Sequence, residues 1–290
     1  MINKYVYDHA RDYEKVNDLL YSTYSEMNRP NWLQPRWEYM HHHPFMDKST
    51  YSAFAVWYDD EKLVGIVSSE LSKGRAFLQL DPNYYHLKED MVIHAERNLF
   101  NEKTGNLLVT AYMHDKELIS ILKRRGYYAK ESNPWCEILA IEPSKISIPE
   151  LPEGFSLTSL DIENDLIKLE RVLWRGFENP GEPKGDIKSR ELMQSAPNYK
   201  RQLNVVIKAP NGDYASYSGA WFDKENKVGL IEPVATDPDY RRMKLASVAT
   251  LECVKRLGKL GAKLVYVDSG IPIYKAIGFK NKYKEVIFTK

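Results

Sequence analysis

The chain has 290 residues, of which 43% are hydrophobic and 28% charged, and its formal net charge is +1. That length suits two domains better than one, and the balanced charge gives no reason to expect a nucleic-acid partner, which would need a concentrated basic surface. Two cysteines, Cys136 and Cys253, form neither a disulfide framework nor a zinc pattern, and no run approaches the roughly 20 apolar residues of a membrane span.

The first residues, Met1-Ile2-Asn3-Lys4-Tyr5, lack the apolar run of a signal peptide, so a cytoplasmic protein is expected. His41-His42-His43 invites a metal reading. Adjacent histidines do not share a helix face, and no carboxylate or cysteine stands at ligand spacing, so no metal site is expected. Trp32, Trp37, Tyr39 and Phe45 around it suit a groove or a core. Asp81-Pro82-Asn83-Tyr84 opens a helical stretch, an apolar strand follows at Leu107-Leu108-Val109, and Lys123-Arg124-Arg125 caps a helix ending at Gly126.

This order of elements recurs. Asp237-Pro238-Asp239-Tyr240 repeats Asp81-Pro82-Asn83-Tyr84 at an offset of 156 residues, Lys244 answers Lys88, and Glu252 answers Glu96. Lys263-Leu264-Val265 falls opposite Leu107-Leu108-Val109, and Ile277-Gly278-Phe279 lies near Arg125-Gly126-Tyr127. Chance matching of short words is the plain alternative. The shared order and near-constant offset favour two copies of one α/β fold. Three prolines between Pro143 and Gly154 preclude a helix and favour an extended connector. The expected division is therefore 1–142, a connector over 143–154, and 155–290.

In the second half, residues 155–160 read as a strand and 161–177 as a helix with apolar positions at Ile162, Leu166, Leu169, Leu173 and Phe177. A second helical stretch runs from about 186 to 195 and stops at Pro197. Residues 203–208 form a strand, Asn211-Gly212 a hairpin turn, 214–222 its partner and 228–236 a third strand. The chain then enters Asp237-Pro238-Asp239-Tyr240-Arg241-Arg242-Met243-Lys244-Leu245-Ala246-Ser247 and a helix that Gly258 or Gly261 can end. Three cations thus stand at a helix N-terminus, where they repel the dipole by some tenths of a kcal/mol each. A bound anion such as a diphosphate resolves that conflict. Neutralisation by Asp237 and Asp239 in solvent is the competing account.

This segment resembles the acyl-coenzyme-A loop of the GNAT N-acetyltransferases, Arg/Gln-x-x-Gly-x-Gly/Ala, with Arg241 at the first position and Ala246 at the last. Glu232-Pro233-Val234-Ala235-Thr236 resembles the strand that pairs with pantetheine there, and Tyr274-Lys275-Ala276-Ile277-Gly278-Phe279 the Tyr-x-x-x-Gly-Phe signature. Residues 198–221 resemble a bacterial subgroup that includes tandem-domain members. The resemblance implies an α/β fold class of two tandem GNAT-like domains, each a mostly antiparallel mixed sheet flanked by helices, the first a degenerate copy. It implies acetyl-CoA as cosubstrate, held by Val234, Ala235, Thr236, Arg241, Arg242, Met243, Lys244, Leu245, Ala246 and Ser247. Backbone N–H groups around residues 234–236 would face the thioester carbonyl. Tyr274 is the candidate general acid, since a phenol near pKa 10 is protonated at neutral pH. Glu232 is the candidate base. Asp268 and Ser269 are weaker candidates for lining the substrate side, and Trp221 is a wall of the acceptor pocket or a core residue.

Lys244 departs from the pattern, replacing a glycine that permits φ > 0 and close approach of backbone to phosphate. In the first copy the corresponding loop lacks glycine and an arginine pair, and Glu89 and Asp90 oppose an anion, so no acyl-CoA is expected there. The expected function is transfer of acetyl from acetyl-CoA to a small-molecule amine in the second half. The alternative is a non-catalytic acyl-CoA-binding or regulatory protein. No nucleic-acid or membrane partner is expected, and a monomer suits two fused copies.

Overall fold

The computed structural model describes every residue except Lys184 and Asp186. Two compact units emerge, one of residues 1–41, 45–137 and 283–290, the other of residues 42–44 and 138–282.

In the first unit, β1 (Ile2–Val6), β2 (Ala55–Asp59), β3 (Lys62–Ser69) and β4 (Arg75–Leu80) lie antiparallel in that order. β5 (Leu108–Tyr112) runs parallel to β4 and pairs with it only at Arg75–Leu108 and Ala76–Val109. Helices α1 (His9–Ser22), α2 (Gln34–His41), α3 (Lys88–Asn98) and α4 (Lys116–Arg124) accompany the sheet. Two start at side-chain caps, Asp8 accepting from the Arg11 amide and Asp115 from the Leu118 amide. Val16 and Leu20 of α1, Met91 and Ala95 of α3 and Leu122 of α4 join Val64, Ile66 and Val109 of the sheet in one core. Trp32 and Trp37 belong to that core, whereas Phe45 is exposed. His41 ends α2 as a buried residue, its Nε2 3.1 Å from the Tyr7 hydroxyl. A short strand, β6 (Tyr128–Ala129), follows α4 after Gly126, whose φ is +87°.

In the second unit the strand order is β8 (Ser156–Ser159), β9 (Val205–Lys208), β10 (Tyr214–Asp223), β11 (Val228–Thr236), β12 (Leu264–Val267) and then β7 (Glu137–Ile141). All neighbours are antiparallel except β11 and β12, which are parallel. The helices are α5 (Leu166–Gly176), α6 (Lys188–Gln194), α7 (Leu245–Lys259) and α8 (Pro272–Ala276). α7 buries Leu245, Val248, Ala249, Leu251, Val254 and Leu257 against Val205, Ala215, Ile231 and Val265. α5 packs Leu169, Val172 and Leu173 against Tyr214, Tyr217 and Ala235 in a second cluster.

Three local readings change. The helix expected from 161 begins at Leu166, because the Asp165 carboxylate accepts from the amides of Ile167 and Lys168 and fixes the start. The next helix occupies Lys188–Gln194; the expected start near Asp186 lies outside the described residues. α7 runs through Gly258 and ends at Lys259, with Leu260 as its C-cap before Gly261 at φ +96°. Gly258 instead admits Pro143, which would lie 2.6 Å from an added Cβ.

The units also depart from the expected division by sequence. Strand β7 precedes the prolines yet pairs with β12 in the second unit, and Ile146, Ile148 and Leu151 of the connector pack on that unit's core. The last strand, β13 (Lys280–Thr289), sends residues 285–289 antiparallel to β5 in the first unit, with Phe288 buried there. No helix among the described residues is long and apolar enough to cross a membrane.

Candidate active site

The chain within the second unit brings three features together around β11. The first is a parting of strands. β11 and β12 pair only from Val228–Leu264 to Leu230–Tyr266. Beyond Leu230, β11 keeps β10 on one edge, through Val234–Ser218, Ala235–Tyr217 and Thr236–Ser216, but among the described residues has no strand partner on the other. An edge of this kind is a template for an extended amide-bearing ligand.

The second feature is a bulge. Between the pairs Ser218–Val234 and Ala220–Ile231, β11 carries an extra residue relative to β10, which re-aims the side chains of Glu232 and Pro233. Gly219 sits opposite, where a Cβ would lie 2.8 Å from the Glu232 carbonyl oxygen. The Trp221 indole donates to that same carbonyl at 3.0 Å. Trp221 is thus a buried brace of the bulge, set edge-on to Tyr199.

The third feature is the loop from β11 into α7. Asp237 caps a single helical turn at Pro238–Tyr240, accepting from the Asp239 amide at 3.0 Å. Arg242 and Lys244 then both adopt left-handed backbone, with φ of +63° and +61°. Lysine at 244 therefore takes up the conformation that a glycine would supply, and the loop keeps its shape. Among the described residues, no acceptor serves the backbone amides from Arg242 through Ser247; bonding resumes at Val248, which donates to the Lys244 carbonyl. Successive unpaired N–H groups at a turn and helix start form an anion-binding concavity.

Charge around this loop separates the two accounts of its cations. Asp237 is fully buried and accepts from Arg175 at 2.7 Å and Arg171 at 3.1 Å, while Asp239 takes the other arm of Arg175 at 2.8 Å. Burial alone would raise the Asp237 pKa, but the bonds from Arg175 outweigh it and hold the carboxyl below its ordinary value. Both aspartates are thus neutralised by α5, away from the loop. Arg241 is also engaged, donating to Glu178 at 2.7 Å and to the Gly176 carbonyl at 3.1 Å. Arg242 and Lys244 are exposed and make no ion pair among the described residues. Of the three cations, two remain for an anion. Met243 is half-buried, and Leu245 and Ser247 are buried on the core side of α7.

Tyr274 lies in α8, buried, edge-on to Phe279 at 5.8 Å. Its hydroxyl makes no hydrogen bond among the described residues. Burial raises the phenol pKa above its ordinary value, and the nearby Glu232 carboxylate raises it further. The Glu232 charge thus bears on the Tyr274 phenol, although 42 positions separate the two in the sequence. Cys253 is buried under β10, its thiol directed at the Ser218 carbonyl at 3.2 Å, and burial pushes its pKa up to about 12. It is not a nucleophile at neutral pH. Among the described residues no group of His, Cys, Asp or Glu is placed to hold a metal ion.

Sequence reasoning did not reach Gly219, the Trp221 brace, or the Arg171 and Arg175 pairing with Asp237. Gly219 carried a signal, since an isolated glycine inside a strand marks a bulge or a close backbone approach.

Residues 166–279, from the start of α5 to the end of the Gly-Phe pair, match the model of the acetyltransferase (GNAT) family. No curated protein matches the sequence. Among solved structures, a GCN5-related N-acetyltransferase from Sphaerobacter thermophilus aligns over 100% of this chain and 95% of its own, with a TM-score of 0.65 at 14% identity. A tandem GNAT protein from the clavulanic acid biosynthesis pathway aligns over 100% and 98%, with a TM-score of 0.67 at 14% identity. N-myristoyltransferase from Saccharomyces cerevisiae, solved with bound myristoyl-CoA and inhibitors, aligns over 99% and 79%, with a TM-score of 0.57 at 11% identity. At such identities the likeness is one of fold, and it extends over both units, whereas the family match covers the second. Residues 166–279 of this chain form a domain of the acetyltransferase (GNAT) family.

Proposed function

We propose that the second unit is an N-acetyltransferase that takes acetyl-CoA and passes the acetyl group directly to the amine of a small molecule. The observation that supports this most is the loop from Arg242 to Ser247, with six consecutive amides and two unengaged cations beside the free edge of β11. A diphosphate suits the amides, Arg242 and Lys244, and an amide-bearing pantetheine arm suits the edge at Val234, Ala235 and Thr236. Both are parts of acetyl-CoA, and the order along the chain is the order along the molecule.

The thioester supplies an activated acyl group. Glu232 accepts a proton from the attacking ammonium, through water, so that the nitrogen lone pair is free to bond to the carbonyl carbon. Backbone N–H groups on the free edge of β11 stabilise the developing oxyanion. The C–S bond then breaks, Tyr274 protonates the leaving sulfur, and the phenolate it becomes takes back, through water, the second proton that the nitrogen sheds on becoming an amide. A raised phenol pKa keeps that proton in place at neutral pH. With Cys253 buried and un-ionised, direct transfer is favoured over a route through an acyl-cysteine. Lys244 in left-handed conformation keeps the loop open to an anion, which favours a chain that takes up acyl-CoA over one that has lost it.

Titration calorimetry with acetyl-CoA tests this reading. One equivalent per chain is expected, with affinity about tenfold weaker in Arg242→Ala, as for loss of one charge-assisted contact. No binding, or binding indifferent to Arg242, would remove the loop from the site.

A further inference from the structure

The first unit carries the same parting of strands, and it is already filled from within. β4 and β5 pair only at Arg75 and Ala76, so β4 from Phe77 to Leu80 runs beside a gap, as β11 does beyond Leu230. Leu80 stands one residue before the Asp81-Pro82 turn, the place that Thr236 holds before Asp237-Pro238.

Into this gap runs the segment Arg29–Trp32. The Asn31 side-chain amide donates to the Leu80 carbonyl at 3.0 Å and accepts from the Leu80 amide at 2.8 Å. That is the pair of bonds by which an extended amide, in a strand or a pantetheine arm, joins a sheet edge. Asn31 is 3% exposed. Its second N–H reaches Thr23 at 2.8 Å, and its backbone carbonyl accepts from the Tyr112 hydroxyl of β5 at 3.3 Å. One residue thus bridges both sides of the gap. The Trp32 amide adds a bond to the Gln79 side chain at 2.7 Å.

The corner that would take a diphosphate is satisfied from within as well. Lys88, the counterpart of Lys244, is buried, with its ammonium 2.6 Å from Asp115 and 4.1 Å from the centre of the Tyr85 ring. The turn Pro82–Leu87 feeds straight into α3 with negative φ throughout, and the Lys88 amide is spent on the Tyr85 carbonyl. Lys244 by contrast is exposed and makes no ion pair among the described residues. What remains of the cleft is a cavity of about 260 Å³ between Asn31, Leu80, Tyr85, Lys88 and Tyr112.

We propose that Arg29–Trp32 is a built-in occupant of the first unit's cleft: Asn31 stands in for the amide of an acyl-CoA arm, and Asp115 for its phosphate. The first copy is therefore held shut by its own chain, and only the second is open to an outside ligand.

Hydrogen–deuterium exchange on the full chain, with and without acetyl-CoA, tests this. In the wild-type protein the Leu80 amide should be protected, and acetyl-CoA should leave residues 77–81 unchanged. Asn31→Ala should speed exchange at Leu80 at least tenfold while residues 232–247 stay as they were. Leu80 exchanging at the rate of exposed loops, or protection of 77–81 by acetyl-CoA, would overturn the proposal. Both of those results come from the wild-type chain, so they hold even where Asn31→Ala fails to fold. Protection of residues 242–247 by acetyl-CoA reports separately on the second unit, so the two readings can fail independently.

Discussion

At the level of single residues, Tyr274 and Lys244 carry opposite lessons. Tyr274 is buried, and its pKa is raised, first by burial and then by Glu232. A general acid needs its proton, and a raised pKa keeps it through the neutral range, so the turnover rate should show no loss from Tyr274 ionisation below about pH 10. The same shift bears on stability: unfolded tyrosine ionises from about pH 10, the folded residue only at higher pH, so its contribution is present below pH 10 and is lost as pH rises through the folded value. Tyr274→Phe keeps the ring and its packing against Phe279 but removes the proton. The expected result is a fall in kcat of about 10²-fold, with acetyl-CoA affinity by calorimetry nearly unchanged. An unaltered rate with a competent amine would remove Tyr274 from the chemistry. Lys244 is a residue under strain. A non-glycine residue at φ +61° costs about 1–2 kcal/mol, and glycine returns part of that as entropy of the unfolded chain. Lys244→Gly should therefore stabilise the second unit by about 0.5–1 kcal/mol, read as a higher melting temperature without ligand. A lower one would mean that the ammonium, not the backbone, decides the residue's presence.

At the level of elements, the site depends on β11 being paired on one edge and bulged in the middle. Gly219 makes that possible, because any Cβ there would press on the Glu232 carbonyl from 2.8 Å and on the Tyr217 hydroxyl at a similar distance. Gly219→Ala should cost about 1–3 kcal/mol, the range for overpacking a tight core, measured by chemical denaturation. It should also lower turnover more than Trp221→Phe, which loses only the indole bond to the same carbonyl. Equal stability of Gly219→Ala and wild type would show that the bulge has room to relax. The loop and α7 were legible in the sequence because their chemistry is local: the Asp-Pro turn, the run of cations and the apolar periodicity of the helix all lie within about 20 consecutive residues. The same holds for the hairpin at Asn211-Gly212. The choice of Glu232 and Tyr274 as candidates for one site was legible only through a family resemblance, since no periodic pattern links α8 to β11. The fate of Asp237 was not legible at all. Its partners Arg171 and Arg175 come from a helix more than 60 positions earlier, and side-chain pairing at that distance leaves no periodic mark. Asn31 is a further case, an isolated polar residue that behaves as a strand edge only because β4 and β5 part beside it.

At the level of the whole chain, the repeat predicts two similar folds but not which strands each one uses. β7 comes before the proline-rich connector and belongs to the second unit; β13 ends the chain and belongs to the first. Alternation within a strand specifies which face is buried, whereas the choice of neighbour is made by shape and by the edges left open, so the exchange was invisible to pattern reading. It has a consequence for how the chain can be cut. Residues 1–142 lack the strand that covers the edge of β5 and lack Phe288, which is 1% exposed in that core. Losing one buried phenylalanine costs about 3–5 kcal/mol, to which the missing backbone bonds of residues 285–289 add. Residues 155–290 alone would lose Leu139 and Ile141, both buried beside β12. Neither half made at the apparent boundary should fold to native stability. A chain ending at Lys282 should leave the first unit largely unfolded, seen as rapid hydrogen exchange across β3, β4 and β5 and as aggregation through the bare edge of β5. Should that truncated chain instead melt at the temperature of the full one, the last strand would be an accessory and the two halves independent domains. The expected loss follows from the pairing itself: the fold is built by two copies that each borrow a strand from the other's stretch of sequence, and the chain is therefore a single folding unit at its ends.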